Sequence, residues 1–246
     1  MTGLERHRRD WETLAETDPL WAVLTDPARK GGRWEPDEFL ATGERELAEV
    51  LATAEGLGLP VLGAAFLDFG CGAGRITRAA ATRFERCVGV DIAEGMVEAA
   101  RELSADRSGC EYVVNDRPDL RLFDDDAFDF AYSSVVLQHQ PSAELALGYL
   151  RELVRVVRPG GGLVFQLPRG SAPLHRLQLS RRLYGLTRRA GVSAEWLIRR
   201  TPLTPMRMIA VPEGEVLGTL GAVGAETLRV DADDRYYVRV TSSNSR

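Results

Sequence analysis

Glycines at 70, 72 and 74, acids at 68 and 91, and a histidine at 139 are the residues whose types and spacing could do chemistry. Most of them stand in "FLDFGCGAGRITRAA", Phe66 to Ala80, where an apolar run breaks into alternating glycines and then takes up helical spacing. Glycine lets a backbone pass close to a ligand in torsions that side chains forbid, so the stretch reads as a ligand-cradling turn. Three tenants suit such a turn: a dinucleotide, a nucleoside triphosphate or a sulfonium nucleoside. The dinucleotide fingerprint G-x-G-x-x-G needs its last glycine at 75, which is arginine. The phosphate-cradling loop needs a lysine after its second glycine, and Lys30 is the only lysine in the chain. His139, in "SSVVLQHQP", has a side chain that titrates near neutrality and could take a proton from an acceptor hydroxyl. Its alternative reading is an imidazole that anchors a loop. Cys71, inside the turn, reads as a small filler, because no base stands near it in sequence.

The acids separate the tenants. Asp68 would repel a phosphate and suits an amino or ammonium group, whereas a carboxylate at 91, ending the next apolar run, is placed to accept from a ribose diol. A ligand with a ribose, an ammonium and no phosphate is S-adenosylmethionine.

The elements that must position these groups alternate. Candidate strands are 64–70, 86–91, 110–115, 128–134 and 162–168, with helical spacing at 75–83, 94–103 and 143–157. Strands apolar throughout, separated by amphipathic helices, indicate a parallel sheet covered on both faces. Residues 1–60 read as helical, with a helix starting after Pro36 on Asp37 as cap. The preceding "DPLWAVLTDPARKGGRW" reads as too irregular for a core element. "RPGGG" (158–162) reads as a helix-stopping turn before the fifth strand. Leu179, Leu183 and Leu186 at i, i+4, i+7 predict an amphipathic helix. A further helix, then a strand pair joined by the acidic turn 231–234, closes the chain.

Composition narrows the class. Apolar residues make up 44% and charged residues 27% of 246, which suits one large α/β domain. No run of 18 apolar residues exists, so no stable membrane insertion is expected, and "MTGLERHRRDWETLAE" has no apolar segment of the secretory type. Three cysteines without C-x-x-C spacing fit a reducing cytoplasm, and three scattered histidines leave no metal site to expect. The net charge of −5 opposes nucleic-acid binding. Its distribution is lopsided: residues 169–207 hold nine arginines and one acid, a net of +8, which leaves −13 on the rest. That segment is read three ways: a solvated arginine face, a site for a carboxylate or phosphate, or a loose attraction to an anionic membrane surface.

"LDFGCGAGRIT", "VGVDIAEGMVEAAR", "FDFAYSSVVLQH" and "LVRVVRPGGGLVFQ", in that order, resemble the class I S-adenosylmethionine-dependent methyltransferases, in their small-molecule branch. The resemblance covers about residues 60–168. It implies a Rossmann-like, doubly wound α/β fold with a seven-stranded, mostly parallel sheet and an antiparallel last strand. It divides the chain into an N-terminal helical lid (1–60), a cofactor-binding core (61–168), a basic helical substrate cap (169–210) and a core completion (211–246). By the same likeness Gly70, Gly72 and Gly74 line the methionine moiety, Asp91 holds the ribose hydroxyls, and Ile92 and Met96 pack on adenine. The last two read equally well as helix-face core. The usual Gly-Asp-Ala at the end of the third strand is replaced by "VVNDRPDL", leaving open whether Asn115 or Asp116 accepts from the adenine amine. Ser133 falls where the sulfonium should point, and the acceptor should lie over Ser133–His139, Gln138 included. Trp21, Trp34 and Phe39 are candidates for closing over it, interhelical packing being the other reading. The function implied is methyl transfer to oxygen or nitrogen of a small molecule: a secondary metabolite or sugar-like acceptor, with an anionic group as one class. A non-catalytic cofactor binder and a nicotinamide-dependent oxidoreductase are the rival readings. Oligomeric state has no signal in the sequence.

Overall fold

The computed structural model describes residues 2–170 and 178–242. Helix α1 (Gly3–Thr17) opens on a capping box, in which Thr2 Oγ1 accepts from Glu5 N at 3.2 Å and Glu5 Oε2 accepts from Thr2 N at 2.7 Å. Helix α2 (Pro19–Val23) lies inside the segment expected to be too irregular for a core, yet it buries Trp21 and Ala22. In helix α3 (Pro36–Gly56) the N-cap position falls on Glu35, with no side-chain capping bond, and not on Asp37, because a proline with its preset φ and missing N–H takes the first helical position itself.

The alternating core follows as β1 (Gly63–Phe69), α4 (Arg75–Ala80), β2 (Phe84–Asp91), α5 (Glu94–Leu103), β3 (Cys110–Val114), β4 (Phe128–Ser133), α6 (Ala143–Val156) and β5 (Val157–Gln166). Helices α7 (Leu179–Arg189) and α8 (Ala194–Arg200) form the basic segment; α9 (Glu213–Ala222), β6 (Ala225–Val230) and β7 (Arg235–Val240) complete the sheet. The seven strands lie in the order β3-β2-β1-β4-β5-β7-β6, with β7 antiparallel to both neighbours. This is the doubly wound sheet that the resemblance implied.

The period-two alternation of strand side chains sorts the core into layers. Along β1, Leu67 and Phe69 face α6 and α9, through Leu150, Leu153, Val216 and Leu220. Phe66 faces the other way, into Leu47, Val50 and Leu51 of α3 and Ile76 of α4. Its ring stacks on Phe130 of β4 with centroids 5.8 Å apart, and burying such a side chain contributes about 1.5–3 kcal/mol. "RPGGG" is not only a stop. β5 already begins at Val157, which pairs with Phe128, and the register shifts before Gly162 pairs with Phe130. A Cβ on Gly162 would stand 2.6 Å from the Phe130 ring, so only glycine lets the two strands approach there.

A third apolar cluster joins Leu14, Trp21 and Ala22 from the N-terminal helices to Met96 of α5 and to Tyr184, Leu197 and Ile198 of α7 and α8. The N-terminal helices and the basic segment thereby cover one edge of the sheet together. Arg199 Nη2 donates to Thr17 O at 2.9 Å, and Lys30 Nζ donates to Thr201 O at 2.5 Å, tying the two segments together. The strand order reverses between β1 and β4, and in open α/β sheets the crevice beyond the carboxyl ends at such a reversal is where ligands bind.

Candidate active site

A cleft of about 920 Å³ opens at that reversal. Its floor is the β1–α4 turn, through Gly70, Cys71 and Gly72; β2 and α5 supply Asp91, Ile92 and Met96; Ser134 to Val136 and His139 come from the segment after β4. The roof is N-terminal: His7 and Trp11 of α1, Ala22 and Val23 of α2. Val135 is held at φ 60, a strained torsion for a β-branched residue, on the cleft wall.

Asp68 shares the parity of Phe66 and so points toward α4, where its Oδ2 accepts from Thr77 Oγ1 at 2.7 Å. Burial pushes its carboxyl up to about 7, against the opposing pull of the Thr77 hydroxyl and of the Arg75 guanidinium. Arg75 is itself buried and stands 2.7 Å from Glu46 Oε2. Asp91 ends β2 with both oxygens in use: Oδ2 accepts from Gly72 N at 2.9 Å and Oδ1 from Ala93 N at 3.0 Å. Burial raises its pKa, while those backbone donors hold it down. This carboxylate therefore fastens the glycine turn to the neighbouring strand, and its remaining lone pairs are free for a diol. Cys71 is an inert wall, since burial drives its thiol well above the ordinary range.

His139 sits in a 3-10 turn (Leu137–His139), and its Nδ1 bonds the main-chain oxygen of Arg207. A carbonyl only accepts, so Nδ1 carries the proton and Nε2 keeps the lone pair of a neutral ring. Burial lowers the pKa of His139, which keeps the ring neutral. Trp11 meets it edge to face, with centroids 5.5 Å apart. His7 lines the cleft beside them and is pushed down to about 4 by burial and by the positive charge it would share with His139, Arg207 and Arg181.

Of the residues singled out in the sequence, Asp68, Gly70, Gly72, Asp91, Ile92, Met96, Asn115 and His139 line the cleft. Met96 also belongs to the third core cluster, so its two readings hold together. The Asn115 side chain closes its own turn, Nδ2 donating to Asp119 O at 2.8 Å and Oδ1 accepting from Arg117 N at 3.2 Å. Asp116 points outward to Arg8 at 3.0 Å. Gly74 caps α4 and packs toward Tyr112 and Ala100, away from the cleft. Ser133 is the last residue of β4 and is fully buried, and its neighbour Ser134 lines the cleft in its place because successive strand residues face opposite sides. Gln138 turns to Met208, while Gln140 reaches the wall with no partner on its Oε1. Trp21 and Phe39 are core side chains and Trp34 packs on Phe39, so the interhelical reading is the one found for all three. The aromatic and imidazole of the roof, Trp11 and His7, were missed. Their i, i+4 spacing on α1 puts them on one face, the one local signal available.

These residues fit S-adenosylmethionine. The cleft offers a carboxyl at 68, a carboxylate at the β2 tip, apolar walls from Ile92 and Met96, and an acid where a phosphate would have to lie. With Asp91→Ala, S-adenosylhomocysteine affinity should fall by about 1–3 kcal/mol, the cost of charge-assisted hydrogen bonds. Titration calorimetry checks this, and unchanged affinity would remove the ribose assignment.

Comparisons with known proteins agree with this geometry. Residues 67–165 match the family profile described as Methyltransferase domain. The chain is 35% identical over 144 residues to a malonyl-[acyl-carrier protein] O-methyltransferase of Serratia marcescens, covering 58% of this chain and 51% of that protein. It is 35% identical over 118 residues to the 2-methyl-6-phytyl-1,4-hydroquinone methyltransferase of a Synechocystis strain, covering 47% of this chain and 36% of that one. It thus spans about half or less of the length of these relatives. In fold it is similar to magnesium protoporphyrin IX methyltransferase from Synechocystis solved with S-adenosylmethionine bound, at a TM-score of 0.64, 16% identity and 98% coverage of both chains.

Proposed function

We propose, from the premise that this chain belongs to the class I S-adenosylmethionine-dependent methyltransferases, that it methylates an oxygen or nitrogen of a small molecule, with His139 as the base. The observation that carries this reading is the cleft itself, which holds Asp68 and Asp91 on one side and a neutral, tautomer-fixed imidazole on the other. When bound, the cofactor supplies an electrophilic methyl group on a sulfonium.

The chain's own residues do the rest. Asp68 takes the ammonium, held in place by Thr77, and Asp91 takes the ribose hydroxyls while keeping the glycine turn in register. Ile92 and Met96 give the base an apolar seat. Nε2 of His139 accepts the proton of the acceptor's hydroxyl or ammonium as its lone pair turns to the methyl. The Arg207 carbonyl steadies the imidazolium through Nδ1–H. Trp11, edge-on to His139, and the α2 roof exclude water and hold the acceptor in line; alignment alone supplies roughly 7–11 kcal/mol of such a barrier. Screening small hydroxy and amino acceptors for S-adenosylhomocysteine release tests the reading. Binding of the cofactor product without turnover on any of them would favour a non-catalytic binder.

Asp68 also sets a pH dependence. Its carboxyl is raised to about 7 and must be ionised to hold an ammonium, so S-adenosylhomocysteine affinity should weaken as pH falls below about 7. It should weaken again at alkaline pH, once the ligand's amino group loses its proton. Calorimetric titrations from pH 5.5 to 9 in matched buffers would show this bell, and a flat profile through 7 would remove Asp68 from the ammonium.

A further inference from the structure

Beside the cleft lies a second, smaller pocket, and His7 and Trp11 belong to the walls of both. The basic segment reaches it with two of its arginines, Arg181 and Arg207. The others described go elsewhere: Arg169 pairs with Asp234 and Glu213, Arg188 with its own helix end, Arg199 with Thr17, and Arg182, Arg189 and Arg200 lie exposed. Arg176, and with it His175, lies outside the described residues.

The charge in this cavity is not balanced. Arg181 Nη2 stands 3.5 Å from Asp10 Oδ2, both side chains about three-quarters buried at 24% and 27% exposure. Asp10 is the only carboxylate among the lining residues, and burial raises its pKa. Arg207 spends Nη1 on Pro141 O at 2.7 Å, and Arg181 spends Nε on Pro205 O at 3.1 Å. Each guanidinium keeps further N–H groups without a described partner. Burial lowers the pKa of Arg207, the nearby charge of Arg181 lowers it further, and both cations help hold His7 neutral. Two half-buried guanidiniums against one weakened carboxylate make a site for an oxyanion, which arginine grips through paired N–H donors.

We infer that the cavity framed by Arg181, Arg207 and Asp10 is the acceptor's anion subsite, binding a carboxylate or phosphate carried next to the group to be methylated. This rests on the small-molecule reading above and narrows it: the reacting atom lies by His139, and the anionic group lies across the Trp11 edge. It also gives the +8 segment a use for two of its charges, with its remaining described arginines tied into the fold or solvated.

Calorimetric titration of the full chain with inorganic phosphate and, separately, with succinate, at ionic strength held constant with sodium chloride, tests the subsite. Saturable binding of either anion is expected, and whichever binds tells phosphate from carboxylate. Arg181→Gln and Arg207→Gln should each raise its Kd tenfold or more, with S-adenosylhomocysteine affinity unchanged within twofold. The exposed Arg182→Gln should have no effect. Asp10→Asn, which removes the competing carboxylate, should tighten anion binding several-fold, so a folded gain-of-function variant stands beside the losses. No saturable binding of either anion, an equal loss in Arg182→Gln, or no tightening in Asp10→Asn would overturn the subsite. Failure of the methyltransferase reading is distinct from these, since it would show as absent S-adenosylhomocysteine binding or release with anion binding intact.

Discussion

Replacing His139 by alanine should lower methyl transfer by about 100-fold or more while leaving S-adenosylhomocysteine affinity within about twofold, the usual weight of a positioned base. The expectation follows from the neutral imidazole on the cleft wall, with Nδ1 committed to the Arg207 carbonyl and Nε2 left basic. Because burial lowers its pKa, the ring is ready to accept a proton below pH 6.5, and the acidic limb of the pH–rate profile should fall below that ordinary histidine value. Single-turnover rates across pH, with and without added imidazole, separate this from a structural role. Rescue by imidazole marks a missing base. A loss under about tenfold, or a fall in melting temperature without a change in the acidic limb, would assign His139 to anchoring the 207 segment.

Gly72→Val should abolish detectable cofactor binding, and for a reason the glycine pattern alone does not disclose. Gly72 has φ 51, a left-handed torsion that a β-branched residue adopts only with strain, of order 1–3 kcal/mol. A Cβ there would overlap the side chain of Val23, so valine drives α2 off the turn in addition to filling the floor. The Gly72 N–H to Asp91 Oδ2 bond would go with it, loosening the carboxylate that is to hold the ribose. Calorimetry with S-adenosylhomocysteine reads the binding, and proteolysis between α1 and α3 reads the roof. The companion Val23→Ala should leave a smaller loss by removing the wall without straining the turn. Normal binding by Gly72→Val would place the cofactor elsewhere.

The strands, the glycine turn and its two acids were legible because each is a local or near-local pattern. Apolar runs bounded by turn residues mark strands, and Asp68 and Asp91 fall at their ends by counting along the chain. Helices α5 and α7 appear where their apolar spacing places them. Misreadings cluster where a local rule met a tertiary demand. Gly162 sits in the supposed turn because the Phe130 ring lies against it. The α2 segment looks irregular in sequence because its order comes from burying Trp21 and Ala22 against α5, α7 and α8. Ser133 and Ser134 could not be told apart until the last pair of β4 fixed which of them faces in.

By itself, the chain's sequence determined the donor side of the site: a turn that excludes phosphate ligands and an acid at each place a sulfonium nucleoside needs one. Those properties reside in backbone torsions and strand parity within 25 residues of one another, which neighbouring residues dictate. Only the tertiary structure decided the acceptor side. His139 meets a carbonyl 68 residues away, and Arg181 meets Asp10 across 171. Trp11 and His7 come from a helix that looks in sequence like an ordinary charged surface helix. Contacts of that separation depend on how the N-terminal helices and the basic segment pack at one sheet edge, and no local periodicity encodes them.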